Sequence, residues 1–293
     1  MRDYDRRLAE EAALWGADAE AKAREVPPDW RYHRHLRHNA IYHTRDIDAF
    51  LDHVRPGMDA LELGCGSGWL TLALAQRGAR ATGLDISEQA LAVGRRYYET
   101  IRAEVPGSVE YRAADLNTLE LPLEAYDVIA VKGTLHHLLR ADRVIAQAHR
   151  ALRPGGLLWV SDSRGEESLA TALLAGALML VLPTHISYRD KFAGLLRFGA
   201  RAPSRIKASI EAEGLSPFEG AGREHDWLRL IEERFVVERR TAAPAVTGYL
   251  THQVKLPDRL ALPLLRALCA ADTRLVRWGL LHSTGMVVYA RKV

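Results

Sequence analysis

Ala60–Ser87, ALELGCGSGWLTLALAQRGARATGLDIS, is the stretch on which the reading of this 293-residue chain turns. ALELG is a short apolar run broken by one acid, Glu62, as in a strand buried on both faces. Gly64, Gly66 and Gly68 follow at once, where small residues permit a tight turn and a close approach of backbone to a ligand. LTLALAQRG reads as a helix ending at Gly78, and ATGLD as a second strand. Ser87 then opens the helix SEQALAVGRRYYETI as its N-cap. Asp85 closes the second strand 21 residues after Gly64, the place for a carboxylate that accepts from ribose hydroxyls. Glycine turn and spaced acid together predict an adenosine site. A dinucleotide is disfavoured, because its G-x-G-x-x-G/A fingerprint needs a small third residue and Trp69 stands there.

Outward from this unit the rhythm continues. From Met58 to about Ser163 the runs ALELG, ATGLD, VEYRA, YDVIAVK and GLLWVSD alternate with longer polar or helical stretches, the pattern of a right-handed α/β layer with a parallel sheet. FVVER and GMVVYARK supply two later strands. Four segments are expected: a helical arm or lid at 1–57, the nucleotide-binding core at 58–163, a helical cap insertion at 164–230, and the last two strands with a helical insertion at 231–293.

The stretch LELGCGSGWLTLALAQRGARATGLDIS resembles the first two motifs of the class I S-adenosylmethionine-dependent methyltransferases, where an acid, here Glu62, precedes the glycine loop. YRAADLNTLEL is similar to the third-strand motif, AYDVIAVKGTLHHL to the fourth strand and its loop, and LRPGGLLWVSDS to the turn into the fifth. The resemblance implies a Rossmann-like, seven-stranded, mostly parallel sheet with the last strand antiparallel, and S-adenosylmethionine as cofactor with S-adenosylhomocysteine as product. It implies that Glu62, Gly64, Cys65, Gly66 and Gly68 surround the cofactor and that Asp85 holds the ribose. Asp115 would take the adenine amino group beside the Leu116 backbone, Ile86 would pack on adenine, and backbone around Lys132 would face the methionyl part. Cys65 is read as a small packing residue of that loop rather than a nucleophile.

His136 and His137 follow the fourth strand, at the sheet edge where ligands of open α/β folds bind, and are the candidate bases for a protonated acceptor. Tyr32, Tyr42 and His43 are candidates for a lid over the cofactor. The arm also holds His33, His35 and His38, but no HExxH motif or carboxylate partner completes a metal site, so no metal is expected. The loop KGTL replaces the N-P-P-Y motif of adenine and glutamine N-methylating relatives, and no Pro-Cys pair is there for cytosine C5 chemistry, so DNA is not expected as substrate. LATALLAGALMLVLP and RLALPLLRALCA carry more apolar surface than a compact sheet needs, which points to a cap over a lipophilic small acceptor methylated at oxygen or carbon. The same helices suit a homodimer interface, or a peripheral membrane contact with Arg197, Arg201, Arg205 and Lys207 at lipid headgroups. Two rival functions are an RNA methyltransferase, argued from the arginines between Arg31 and Arg45, and a non-catalytic S-adenosylmethionine-binding module.

Bulk properties agree with an independently folding enzyme. The chain is 48% hydrophobic and 26% charged with a net charge of +3, so no strongly charged partner is implied. Two cysteines make no disulfide framework. The N-terminus lacks the apolar core of a signal peptide, and the run Leu169–Leu182 is too short to span about 30 Å of hydrocarbon. A cytoplasmic location is expected.

Overall fold

Alanine-, glutamate- and arginine-rich sequence with no glycine but Gly16 makes the first long helix, α1 (Arg2–Glu25), and Pro27 and Pro28 end it. Three short helices complete the arm: α2 (Trp30–His33), α3 (Arg37–Tyr42) and α4 (Thr44–Leu51). The computed structural model describes residues 2–164, 168–198, 216–218 and 226–293.

Beyond the arm, β1 (Asp59–Leu63), α5 (Trp69–Gln76), β2 (Arg80–Asp85), α6 (Glu88–Ile101) and β3 (Ser108–Ala113) alternate as the sequence predicts. β4 (Tyr126–Lys132), α7 (Ala141–Ala151) and β5 (Leu152–Ser163) follow. α8 (Leu169–Val181), α9 (Tyr188–Phe198) and α10 (Trp227–Glu232) lead to β6 (Val236–Ala242). Finally come α11 (Thr247–Gln253), α12 (Asp258–Arg277) and β7 (Gly285–Arg291). The seven strands form one sheet in the order β3-β2-β1-β4-β5-β7-β6. β1 to β5 pair in parallel, and β7 runs antiparallel between β5 and β6. Strand order reverses between β1 and β4, and the crevice past the carboxyl ends of these strands is where such sheets bind ligands.

Each face of the sheet has its own core. Phe50, Leu70, Leu74, Ala130 and Trp159 pack α4 and α5 onto one face, with the Phe50 and Trp159 rings stacked at 4.4 Å. Leu61, Ile129, Ile145, Leu158, Ile231 and Val288 pack α7 and α10 onto the other. A third cluster joins the two insertions: Ala175 and Met179 of α8, Leu250 and Val254 about α11, and Ala261 and Leu265 of α12, with Ile41 of the arm at its edge. The helical regions separated in sequence therefore share one apolar core beside the sheet. α8 buries Thr171, Ala175, Gly176 and Met179 there and leaves Leu169 and Val181 exposed. No helix among the described residues is long and apolar enough to cross a membrane.

The cap is tied down by two charged groups. Arg37 of α3 donates to the carbonyls of Val254 and Leu256 and to Asp258. Buried Asp272 accepts from the N–H groups of Ala245, Val246 and Thr247 and from the Thr247 hydroxyl, at 2.8–2.9 Å, which satisfies the amino end of α11 that has no side-chain cap of its own. Asp272→Ala leaves these donors buried without partners. A stability loss of about 3 kcal/mol is expected, read as a lowered Tm in calorimetry, with Asp272→Asn falling between; an unchanged Tm would remove the capping role.

Candidate active site

Gly64, Gly66 and Gly68 all take positive φ (75°, 54° and 76°), which L side chains adopt only under strain. The turn they make carries the chain from β1 into α5. Asp85 locks this turn to the end of β2: Oδ2 accepts from the Gly66 N–H at 2.7 Å and Oδ1 from the Ser87 N–H at 2.8 Å. Burial raises the Asp85 pKa, and those two N–H groups oppose the rise. Beyond β3, Asp115 accepts from the Asn117 N–H and from the Tyr4 hydroxyl at 2.7 Å. Around these groups lies a cavity of about 1000 Å³, at the upper end of small-molecule sites.

Most of the residues singled out from the sequence meet in this cavity. Glu62, Gly64, Cys65, Gly66, Asp85, Ile86, Asp115, Leu116, Lys132 and His137 line it. Gly68 lies behind the lining, against the Tyr111 ring, whose hydroxyl donates to the Gly68 carbonyl. His136 also stands outside it, with Nδ1 2.5 Å from a carboxylate oxygen of buried Asp162. Tyr32 and Tyr42 are not over the cavity either. Tyr32 is 50% exposed, while Tyr42 donates to the Pro244 carbonyl and stacks on His38 in the seam between arm and cap. His43 shares that seam.

The lid is instead α1, with the segment from His33 to Asn39 and α11 beside it. Leu8, Glu11, Trp15, Asp18, Ala19, Lys22 and Glu25 recur at helical spacing along the cavity side of α1. Ser87 donates its hydroxyl to the Ala12 carbonyl at 2.6 Å, and Gly16 allows the close approach, since a Cβ there would lie 2.9 Å from the Ser87 hydroxyl and closer to Gln89. His33, His38, Thr251 and His252 close the cavity elsewhere. The helical repeat of Leu8, Glu11, Trp15, Ala19 and Lys22 was the available sequence signal for this lid; nothing local in sequence says which surface that stripe covers.

Electrostatics differ sharply among the lining groups. Glu62 is buried beside the glycine turn, accepts from Thr71, and is pushed up to about 8 by desolvation. Lys132 is pushed down by burial, with its ammonium 5.7 Å from the Trp69 ring centre, and Trp69 in turn stacks on Trp30 and His33. Burial drives the Cys65 thiol well up, which keeps it neutral and unreactive. His137 places Nδ1 3.1 Å from the Ser216 hydroxyl and 3.6 Å from Glu11, its ring meets Trp15 edge to face, and His136 lies 4.0 Å away between ring centres. Among the described residues no group of His, Cys, Asp and Glu is arranged to hold a metal ion.

A family model described as a methyltransferase domain matches residues 61–160, the span from β1 into β5. The ubiquinone biosynthesis O-methyltransferase of Hahella chejuensis (strain KCTC 2396) is 29% identical over 203 residues, covering 68% of this chain and 77% of the relative. That of Pseudomonas aeruginosa (strain UCBPP-PA14) is 34% identical over 129 residues, 43% of this chain and about half, 53%, of the relative. The geranyl diphosphate C-methyltransferase from Streptomyces coelicolor A3(2), solved with S-adenosylhomocysteine, shares the fold at a TM-score of 0.52 and 16% identity, over 85% of this chain and 76% of that one. Residues 61–160 carry a methyltransferase domain on this fold, and the chain is an S-adenosylmethionine-dependent methyltransferase with S-adenosylmethionine as its cofactor. The cavity fits that group: carboxylates at the ends of β2 and β3 suit its hydroxyls and amino group, and the glycine turn leaves room for its chain.

His38 gives the site a pH signature. Burial, with His252 and Lys132 nearby, drives it from 6.5 down to about 3, while Nδ1 meets the Thr251 hydroxyl at 2.7 Å. Between those values the unfolded chain binds a proton that the folded His38 refuses, so its contribution is present above pH 6.5 and lost on acidification. The Tm is expected to fall from pH 7.5 to 5.5 by a smaller amount in His38→Asn than in the unaltered protein; equal falls would rule out the arm histidine as a source.

Proposed function

We propose that this enzyme methylates a hydroxyl oxygen of a lipophilic small molecule. One observation carries the reading: a single cavity holds both the cofactor-binding row of Gly66, Asp85 and Asp115 and a histidine, His137, within reach of a second ligand. The curated relatives named above, O-methyltransferases of ubiquinone biosynthesis, support oxygen as acceptor and favour a small molecule over RNA or a purely binding role.

In this scheme the cofactor supplies an electrophilic methyl group on a positive sulfur. Asp85 and Asp115 would hold the nucleoside, and the Lys132 ammonium, with the Glu62 and Asp162 carboxylates near, would take the methionyl carboxylate. Trp15, Leu36, Trp69, Leu138 and Phe218 exclude water and offer apolar surface to the acceptor. His137 would accept the hydroxyl proton as the acceptor oxygen bonds to the methyl carbon and the carbon–sulfur bond breaks, which leaves S-adenosylhomocysteine as the neutral leaving group. Asp162 has four donors, the N–H groups of Thr134, Leu135 and Ser163 and the His136 ring; it fixes this loop and so positions His137.

Incubation with methyl-labelled S-adenosylmethionine and a prenylated catechol is expected to place label in an ether of the extracted lipid, and none in RNA supplied in parallel. His137→Ala is expected to lower kcat about a hundredfold with little change in cofactor affinity, and to remove an acid limb from the pH–rate profile. Label in RNA alone, or full turnover by His137→Ala, would refute the respective assignment.

A lipophilic acceptor suits an enzyme that touches a membrane at its surface, and the exposed Tyr188, Phe192 and Leu196 on α9 support this second part of the proposal. Arg197 lies on the same helix; Arg201, Arg205 and Lys207 lie outside the described residues. Phe192→Asp with Leu196→Asp is expected to lower cosedimentation with vesicles of anionic phospholipid at least threefold; equal cosedimentation would withdraw the membrane contact.

A further inference from the structure

We propose that Glu11, on the lid helix α1, is a cofactor-binding residue whose Oε2 accepts a hydrogen bond from a ribose hydroxyl across the cavity from Asp85. The inference rests on the methyltransferase reading above and extends it to a residue outside the glycine-turn motifs.

Glu11 is 5% exposed, yet its Oε2 is buried without a hydrogen-bond partner. A buried acceptor left unpaired is costly, and native structures rarely retain one without a reason. The orientation of the carboxyl group is already set on its other side, because Oε1 accepts from the Trp15 indole at 2.7 Å and lies 3.6 Å from the His137 ring nitrogen. Glu11 lines the cavity itself.

What faces Glu11 indicates the ligand chemistry. Asp85 is close enough for Glu11 to raise its pKa further, so two acidic side chains converge on one buried space, one from β2 and one from α1. Like charges so placed repel unless donors lie between them. A vicinal diol brings two adjacent O–H donors, one for each carboxylate. The rest of α1 is registered on the same half of the site: the Tyr4 hydroxyl donates to Asp115, the Ala12 carbonyl accepts from Ser87, and Gly16 packs at Ser87 and Gln89. The lid helix thus follows the row of side chains expected along the nucleoside, and Glu11 falls level with the ribose carboxylate.

Titration calorimetry with S-adenosylhomocysteine and its 2′-deoxy and 3′-deoxy analogues tests the assignment on the full chain. Glu11→Ala is expected to weaken S-adenosylhomocysteine at least tenfold, about 1.4 kcal/mol, and to bind one of the two deoxy analogues as the unaltered protein does. Glu11→Gln, which keeps the shape and an acceptor oxygen, is expected to retain part of the affinity and covers the case in which the alanine variant does not fold. Equal weakening for all three nucleosides overturns the proposal and leaves Glu11 a packing residue of the lid. Unchanged affinity with lost turnover also overturns it, and assigns Glu11 to His137 instead. Failure of the unaltered protein to bind S-adenosylhomocysteine would sink the cofactor reading itself, a result distinct from either.

Discussion

The Asp85 carboxylate, held between the N–H groups of Gly66 and Ser87, is the contact on which the site depends. It ties the glycine turn after β1 to the start of α6 after β2, two segments that only meet because β1 and β2 pair in parallel register, Leu63 beside Leu84. With both backbone donors on one carboxylate, the turn has one shape, and that shape leaves the remaining acceptor sites of Asp85 toward the cavity. Burial makes the arrangement costly in the absence of donors, as the raised Asp85 pKa records. A site built this way is organised before its ligand arrives.

A second layer encloses this centre without belonging to the sheet. α1 lies along α6 through Ser87 and Gly16, α3 is bound to the cap through Arg37, and Asp272 holds the start of α11. These contacts are polar or of close backbone approach and depend on particular atoms, whereas the sheet beneath is held by broad apolar packing on both faces. The consequence is a division of labour. The sheet fixes the glycine turn and the carboxylates that line the cavity, and the arm and cap determine how much room is left and which side chains face it.

Desolvation of ionisable groups marks the same enclosure. Glu62 rises to about 8, Lys132 falls, and His38, His43 and His252 all fall, each chiefly through loss of water. Trp30, Trp69 and His33, stacked beside Lys132, supply the apolar wall that makes this environment possible.

Period and spacing in the sequence by themselves determined the alternating elements, the glycine turn and the acid at 85, because each rests on local propensity or on a motif contained within one βα unit, whereas the acid at 115 and the antiparallel last strand were legible only through the resemblance to a known family. Only the tertiary structure decided which residues close the cavity. Tyr32 and Tyr42, the aromatic lid candidates of the sequence, face solvent and the cap seam, while Glu11, Trp15 and Lys22 on α1 take that place. His136 and His137 are neighbours in sequence, yet a 3-10 turn at Leu135–His137 sends one ring to Asp162 and the other to the cavity. The physical reason is that an amphipathic stripe or a histidine pair states only that one side is to be covered; its partner surface is set by packing against elements far away in the chain, 75 residues for Ser87 with Ala12 and 243 for Tyr289 with Asp46.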